Sequence, residues 1–281
     1  MGRGKMKRQN IAMLILFVLL NSLLFAETAK PLKILFIGNS FTFHHNIPDL
    51  VEQIAYYKFK KAQIDEYVPG STAFRDHYKS KECLNMIRNN KYDVVVLQSS
   101  SFEPVSNPEQ LITYGKKLQE EIKKSGARTV FFMTWEYRGM AEWITETKDE
   151  KLIKMAEKEI PAMYSKVRDV YINLAKETSS EIAPVGMAWN MIRKEIPDLM
   201  LYESDNSHPS EKGSFLSAIV LYSVIFQDEP KNMPASLYPY KREKEQQAKS
   251  YLIKLDYSEK IKMEQIAAKA ITEAKKLIAG K

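Results

Sequence analysis

The sequence predicts an α/β protein, a mostly parallel sheet covered by helices on both faces. Two observations carry that expectation. Short apolar runs without polar alternation, such as Ile34 to Ile37 and Val94 to Leu97, read as strands buried on both faces. Between the runs lie stretches at helical spacing that can serve as the crossovers parallel strands require. Five strands are expected, with no internal repeat.

Gly38 stops the first strand, and Gly38-Asn39-Ser40 must turn before a helix begins near Asn46. The turn lifts the Ser40 hydroxyl to the carboxyl edge of the strand, where open α/β sheets hold their ligands. Ile47, Leu50, Val51, Ile54, Ala55 and Phe59 recur at helical spacing, so a helix capped by Asn46 is expected over residues 46–60. Ala62 to Val68 reads as the second strand, closed by Pro69-Gly70, and residues 76–90 as helix. Tyr92 to Leu97 is the third strand and runs straight into Gln98-Ser99-Ser100-Ser101. A helix over 108–125 closed by Gly126, a fourth strand from Thr129 to Thr134 and a helical region over 150–179 continue the alternation. Glu181 to Val185 makes the fifth strand, followed by a helix from Gly186 to Arg193, the polar loop Asp205 to Pro209 and an apolar helix from Phe215 to Phe226. Gln227 to Lys254, with three prolines, is irregular. Met263, Ile266, Ala267, Ala270, Ala274 and Leu277 form one stripe of a terminal helix over 258–279, expected to dock on the parent domain.

Arg3, Lys5, Lys7 and Arg8 precede the unbroken apolar run Ile11 to Leu20, the pattern of a secretory leader with cleavage near Ala26. The expected location is therefore secreted or periplasmic. The run falls short of the roughly 20 residues of a comfortable spanning helix, which disfavours an uncleaved anchor over Ile11 to Phe25. The domain layout is then a leader over 1–26, a main domain over 32–228 and a C-terminal extension over 229–281. Removing the four basic leader residues lowers the formal net charge from +7 to +3, and the remaining lysines spread along helical faces, a pattern that does not favour nucleic acid. The single cysteine, Cys83, rules out an internal disulfide and reads as a small buried residue.

Asp205 and His208 are three residues apart, a spacing that brings both side chains to one side of a helical turn or compact loop. A carboxylate on one imidazole nitrogen leaves the other free to take a proton from a serine hydroxyl, and Ser40 is the serine at a strand end. The bland reading of Asp-x-x-His is a surface turn with a capping Asp. No Gly-x-Ser-x-Gly elbow, Walker loop, dinucleotide fingerprint or zinc-spaced Cys/His cluster is present, so no cofactor is implied. His44 and His45 are neighbours, and on a helix neighbours diverge by about 100°, which speaks against a metal pair. His77 reads as structural. Trp135, Trp143 and Trp189 could stack on a sugar, although large aromatics more often pack in the core or at a rim; Trp135, at the end of strand four, is the best placed of them.

Taken together, these stretches resemble the SGNH hydrolases, the GDSL-type lipases and esterases with a flavodoxin-like three-layer α/β/α fold. Ile37-Gly38-Asn39-Ser40 resembles the first block of that family, with Asn39 where Asp is commoner, and Asp205-x-x-His208-Pro209 resembles the last. A branch with Gly-Asn-Ser, a Leu-Gln third block and a Pro-Val-Gly-x-Ala-Trp segment, here Pro184 to Trp189, is nearest. The resemblance implies Ser40 as nucleophile, His208 as general base and acid, Asp205 as the orienting carboxylate and Gly70 as an oxyanion donor. The family's Gly-x-Asn-Asp block is replaced, which leaves Gln98 or Ser100 as third donor; the longer, two-proton amide of Gln98 is preferred, against a reading in which Gln98 braces loop backbone. The implied activity is hydrolysis of an ester, short-acyl or O-acetyl on carbohydrate. The competing expectations are a carbohydrate-binding protein that has lost turnover and a flavin-binding domain.

Overall fold

The computed structural model describes residues 30–238 and 252–280. The leader expected over 1–26 lies outside the described residues. Strands β1 (Leu32–Ile37), β2 (Ala62–Tyr67), β3 (Val94–Leu97), β4 (Arg128–Phe132) and β5 (Glu181–Ala183) form one sheet in the order β2-β1-β3-β4-β5, every pair parallel. The expected five strands and their crossovers are all present. Ile34 to Ile37 and Val94 to Leu97 have no exposed surface, as strands covered on both faces must.

Among the helices are α1 (Ile47–Tyr57), α2 (Lys81–Asn89), α3 (Pro108–Ser125), α4 (Met163–Thr178), α5 (Val185–Glu195), α6 (Glu211–Ile225) and α7 (Tyr257–Ile278). From β1 the chain steps one way to β2, and from β3 it steps the other way to β4 and β5. Right-handed crossovers therefore put α1 on one face of the sheet and α3 and α4 on the other. Contacts follow that division: α6 packs on α1, while α3 packs on α2 and α4. The terminal helix α7 lies against α4, α5 and α6, with Met263, Ile266, Ala267, Ala270 and Ala274 buried. Within the described residues of the stretch expected to be irregular, Ser236–Leu237 pairs antiparallel with Ile253–Lys254.

Several boundaries differ from expectation for local reasons. The helix expected over 76–90 is two, Phe74–Lys79 and α2, because Ser80 is extended and its hydroxyl caps α2 by accepting from the Cys83 N–H at 3.2 Å. The region expected over 150–179 breaks into Glu150–Glu159, a 3₁₀ turn at Ile160–Ala162 and α4; Pro161 has no N–H to continue the ladder. Phe59, expected on the apolar stripe of the first helix, is left-handed and 98% exposed beyond its end. Gly126 closes α3 with φ 85°, the left-handed stop expected of it.

Candidate active site

Gly38 ends β1, and the chain turns into a four-residue helix, Ser40–Phe43. A Cβ on Gly38 would stand 2.3 Å from Thr42 Oγ1 and 2.6 Å from Gln98 Oε1, so only glycine fits there. Asn39 is extended, and its Oδ1 accepts from the Phe41 N–H at 3.1 Å, while its Nδ2 donates to the Thr72 carbonyl at 2.8 Å. The cap leaves the Ser40 N–H without a hydrogen-bond partner among the described residues.

The second half of the site is the loop after α5. A bridge between Tyr202 and Pro209 closes it, supported by Glu203 N–H to the His208 carbonyl at 3.0 Å and Ser210 N–H to the Leu201 carbonyl at 2.8 Å. The segment after β4 holds it from the side. Trp135 Nε1 donates to the Ser207 carbonyl at 3.0 Å, Arg138 N–H to the Asn206 carbonyl at 3.0 Å, and Glu142 N–H to the Asp205 carbonyl at 3.1 Å. Nothing in the sequence pattern pointed to residues 135–142 as this buttress, since two of its three donors are backbone N–H groups, which carry no side-chain signature, and an indole does not announce its acceptor.

Ser40, Asp205 and His208 meet. His208 Nδ1 is bonded to Asp205 Oδ2, and His208 Nε2 lies 2.8 Å from Ser40 Oγ. A carboxylate only accepts, so Nδ1 carries the proton and Nε2 is left to accept from the serine hydroxyl. The other Asp205 oxygen accepts the Ser207 and His208 N–H groups, each at 2.8 Å. Burial alone would push the Asp205 carboxyl up, but the His208 ring and these two N–H donors outweigh it and hold it below the usual carboxylate range.

Around His208 the packing is aromatic. His44 stacks on its ring at 4.7 Å and 18°, and Phe41 lies at 5.2 Å, itself stacked on Trp135 at 4.9 Å. Burial, with His208 and His45 nearby, lowers the His44 pKa to about 4, so this ring is neutral at neutral pH. Trp135 and Trp189 are fully buried and stacked on each other at 3.9 Å, which corrects the expectation that Trp135 is the one best placed for a sugar. Trp143 is the exposed one, at 42%.

Gln98 does not offer its amide to the site. Its Oε1 accepts from the Asn39 N–H at 2.9 Å and from Thr42 Oγ1 at 2.8 Å, its Nε2 donates to the Ser99 carbonyl, and the residue is fully buried. The preference for Gln98 as third donor is therefore corrected: it braces the turn from beneath, the alternative reading of the same residue. Ser100 is half-buried at the end of β3, and its hydroxyl has no hydrogen bond among the described residues. Gly70 sits exposed in the turn after β2, with nothing within 4 Å of where a Cβ would stand. His77 is fully buried, its Nε2 3.2 Å from Thr72 Oγ1, and burial lowers its pKa to about 4. Cys83 is fully buried too, and burial pushes its thiol up to about 12.

No family model matches the chain, and no curated protein matches its sequence. Solved structures do. A protein from Slackia heliotrinireducens with an inferred SGNH hydrolase assignment superposes with a TM-score of 0.59 at 23% identity, over 70% of this chain and 100% of that one. The fold is that of the SGNH hydrolases. A DUF4886 family protein from Bacteroides uniformis gives a TM-score of 0.61 at 16% identity, covering 86% of this chain and 95% of the other. A protein from Desulfitobacterium hafniense described as lipolytic and of the G-D-S-L family gives 0.50 at 15% identity over 69% and 99%.

Proposed function

We propose that this chain is a serine esterase that cleaves short acyl groups, O-acetyl on carbohydrate being the preferred substrate, through an acyl-enzyme on Ser40. The observation that carries the reading is the unbroken hydrogen-bond path from Ser40 Oγ through His208 to Asp205. Asp205 fixes the Nδ1–H tautomer and steadies the imidazolium. His208 Nε2 takes the Ser40 proton as Oγ attacks the ester carbonyl, then returns it to the departing alcohol. A water deprotonated by the same nitrogen releases the acid.

The unpartnered Ser40 N–H, the Gly70 N–H and the Ser100 hydroxyl would receive the oxyanion, and each such donor is worth about 10²- to 10³-fold in rate. Gly70 is exposed and its N–H makes no hydrogen bond among the described residues, which suits a donor to an approaching substrate. Trp143, 42% exposed and next in sequence to Glu142, whose N–H donates to the Asp205 carbonyl, is the stacking surface proposed for a sugar on the alcohol side. The N-terminal leader pattern supports export.

A fluorophosphonate probe tests this directly. Wild-type protein should be labelled and should hydrolyse p-nitrophenyl acetate and acetylated sugars, whereas Ser40→Ala should lose labelling and drop the rate by about 10⁶-fold. Folded protein that binds glycans but never reacts would instead establish the non-catalytic binding reading, which the loss of Gln98 as a donor favours.

A further inference from the structure

Adjacent histidines on a regular helix point about 100° apart, and that geometry does not hold at His44 and His45. His45 has φ 50° and ψ 22°, and Asn46 follows at φ 50° and ψ 56°, so two successive left-handed residues rotate the chain before α1 begins. The two rings end 5.2 Å apart and nearly perpendicular. Glu203, on the loop that carries His208, reaches across to His45 Nε2 at 2.9 Å. A lone His–carboxylate pair would account for His45 and Glu203 but not for His44, whose ring makes no hydrogen bond among the described residues and lies beside them.

We propose that His44, His45 and Glu203 form a binding site for a zinc-like divalent cation next to His208. One ligand atom from each residue lies within 4.8 Å of the other two. Tetrahedral zinc holds nitrogen and oxygen ligands at about 2.0–2.2 Å, hence roughly 3.3 Å from one another, so side-chain shifts of about 1 Å close the set and leave the fourth position to water. Two imidazoles and one carboxylate are the donor mixture that suits zinc rather than magnesium or calcium, which prefer oxygen alone.

Position gives the site its consequence. His44 stacks on the His208 ring at 4.7 Å, so a dication held by His44 stands one ring away from the imidazole that must become positively charged during turnover. Like charges at that range oppose the imidazolium. Bound cation therefore inhibits the enzyme; this last step rests on the esterase reading, whereas the site itself does not.

Calorimetric titration of the tag-free full chain with ZnCl₂ separates the two. One equivalent should bind, and His44→Phe, which keeps a ring over His208, His45→Asn, which tolerates the left-handed backbone, and Glu203→Gln should each weaken binding by at least about tenfold. Absence of binding, or an affinity unchanged in all three variants, overturns the site. Ester hydrolysis is then compared with and without zinc within each variant, against a protein-free zinc blank. Inhibition of wild type that the variants relieve supports the placement beside His208; full activity of the zinc-loaded wild type overturns the inhibition. Zinc binding by a chain that hydrolyses no ester upholds the site and sinks the esterase reading instead.

Discussion

Asn39 makes bonds that an aspartate at the same place could not. Its carbonyl oxygen takes the Phe41 N–H, as a carboxylate would, but its Nδ2 donates to the Thr72 carbonyl at 2.8 Å, and only an amide has that proton. Asn39→Asp would set a carboxylate oxygen against a carbonyl in a position only 3% exposed. The variant should be less stable by about 1–3 kcal/mol, read from urea unfolding at pH 7. An unchanged midpoint would show that the Thr72 bond contributes nothing. That Ser40, Asp205 and His208 come together was anticipated in the sequence because the strand-end serine, the Asp-x-x-His spacing and the resemblance to the first and last SGNH blocks all pointed to the same three residues. Gln98 was not, because a sequence names donors without giving their direction, and here the amide oxygen points up at the Asn39 N–H while its nitrogen is spent on Ser99.

Among the elements, the helix that follows the His208 loop is tightly held at its first turn. Ser210 caps α6 by accepting from the Gly213 N–H at 3.2 Å, and a Cβ on Gly213 would lie 2.2 Å from the Leu201 carbonyl and 2.7 Å from the Trp189 ring. Leu201 is the residue whose carbonyl receives Ser210 N–H, so crowding there pushes on the bridge that closes the loop. Gly213→Ala should cost about 1–3 kcal/mol in thermal or chemical unfolding and lower kcat in the proposed hydrolysis more than it raises KM. A variant with wild-type stability and rate would show that α6 can shift without moving His208. The order of the five sheet strands and of the longer helices was readable, since apolar runs and 3.6-residue spacing survive any detail of packing, whereas the four-residue helices such as Ser40–Phe43 and the short pair Ser236–Leu237 with Ile253–Lys254 are too brief to show a period. The break at Ser80 was not readable, because the spacing on either side stays helical and only the cap reveals it, whereas the break at Pro161 was signalled by a proline that has no N–H, a signal outweighed by the continuing spacing.

For the molecule as a whole, the buried imidazole of His77 makes stability depend on pH. Burial holds its pKa near 4 against 6.5 for a free side chain, with Asp76 and the Gly38 backbone offsetting part of that shift. Between those values the unfolded chain binds the proton and the folded chain does not. The stabilisation is therefore complete above about pH 6.5 and is lost progressively as pH falls toward 4, at up to about 1.4 kcal/mol per pH unit. Urea unfolding at pH 7 and pH 5 should show the wild type losing more than His77→Gln; equal losses would mean that His77 is protonated in the native state. His44 acts in the same direction, so the difference between the two proteins, rather than either slope, isolates His77.

The indoles of Trp135 and Trp189 lie face to face at 3.9 Å and 5°. Trp135 is bonded to the Ser207 carbonyl and Trp189 to Ser217 on α6, so the pair touches both supports of the loop that carries His208. Aromatic chromophores so close absorb light as a coupled unit, and near-ultraviolet circular dichroism would register any relaxation of that loop as a change in a signed band. The third tryptophan, Trp143, is 42% exposed and stands apart from the stack, so quenching of its fluorescence tests the proposed sugar contact separately while dichroism follows the interior.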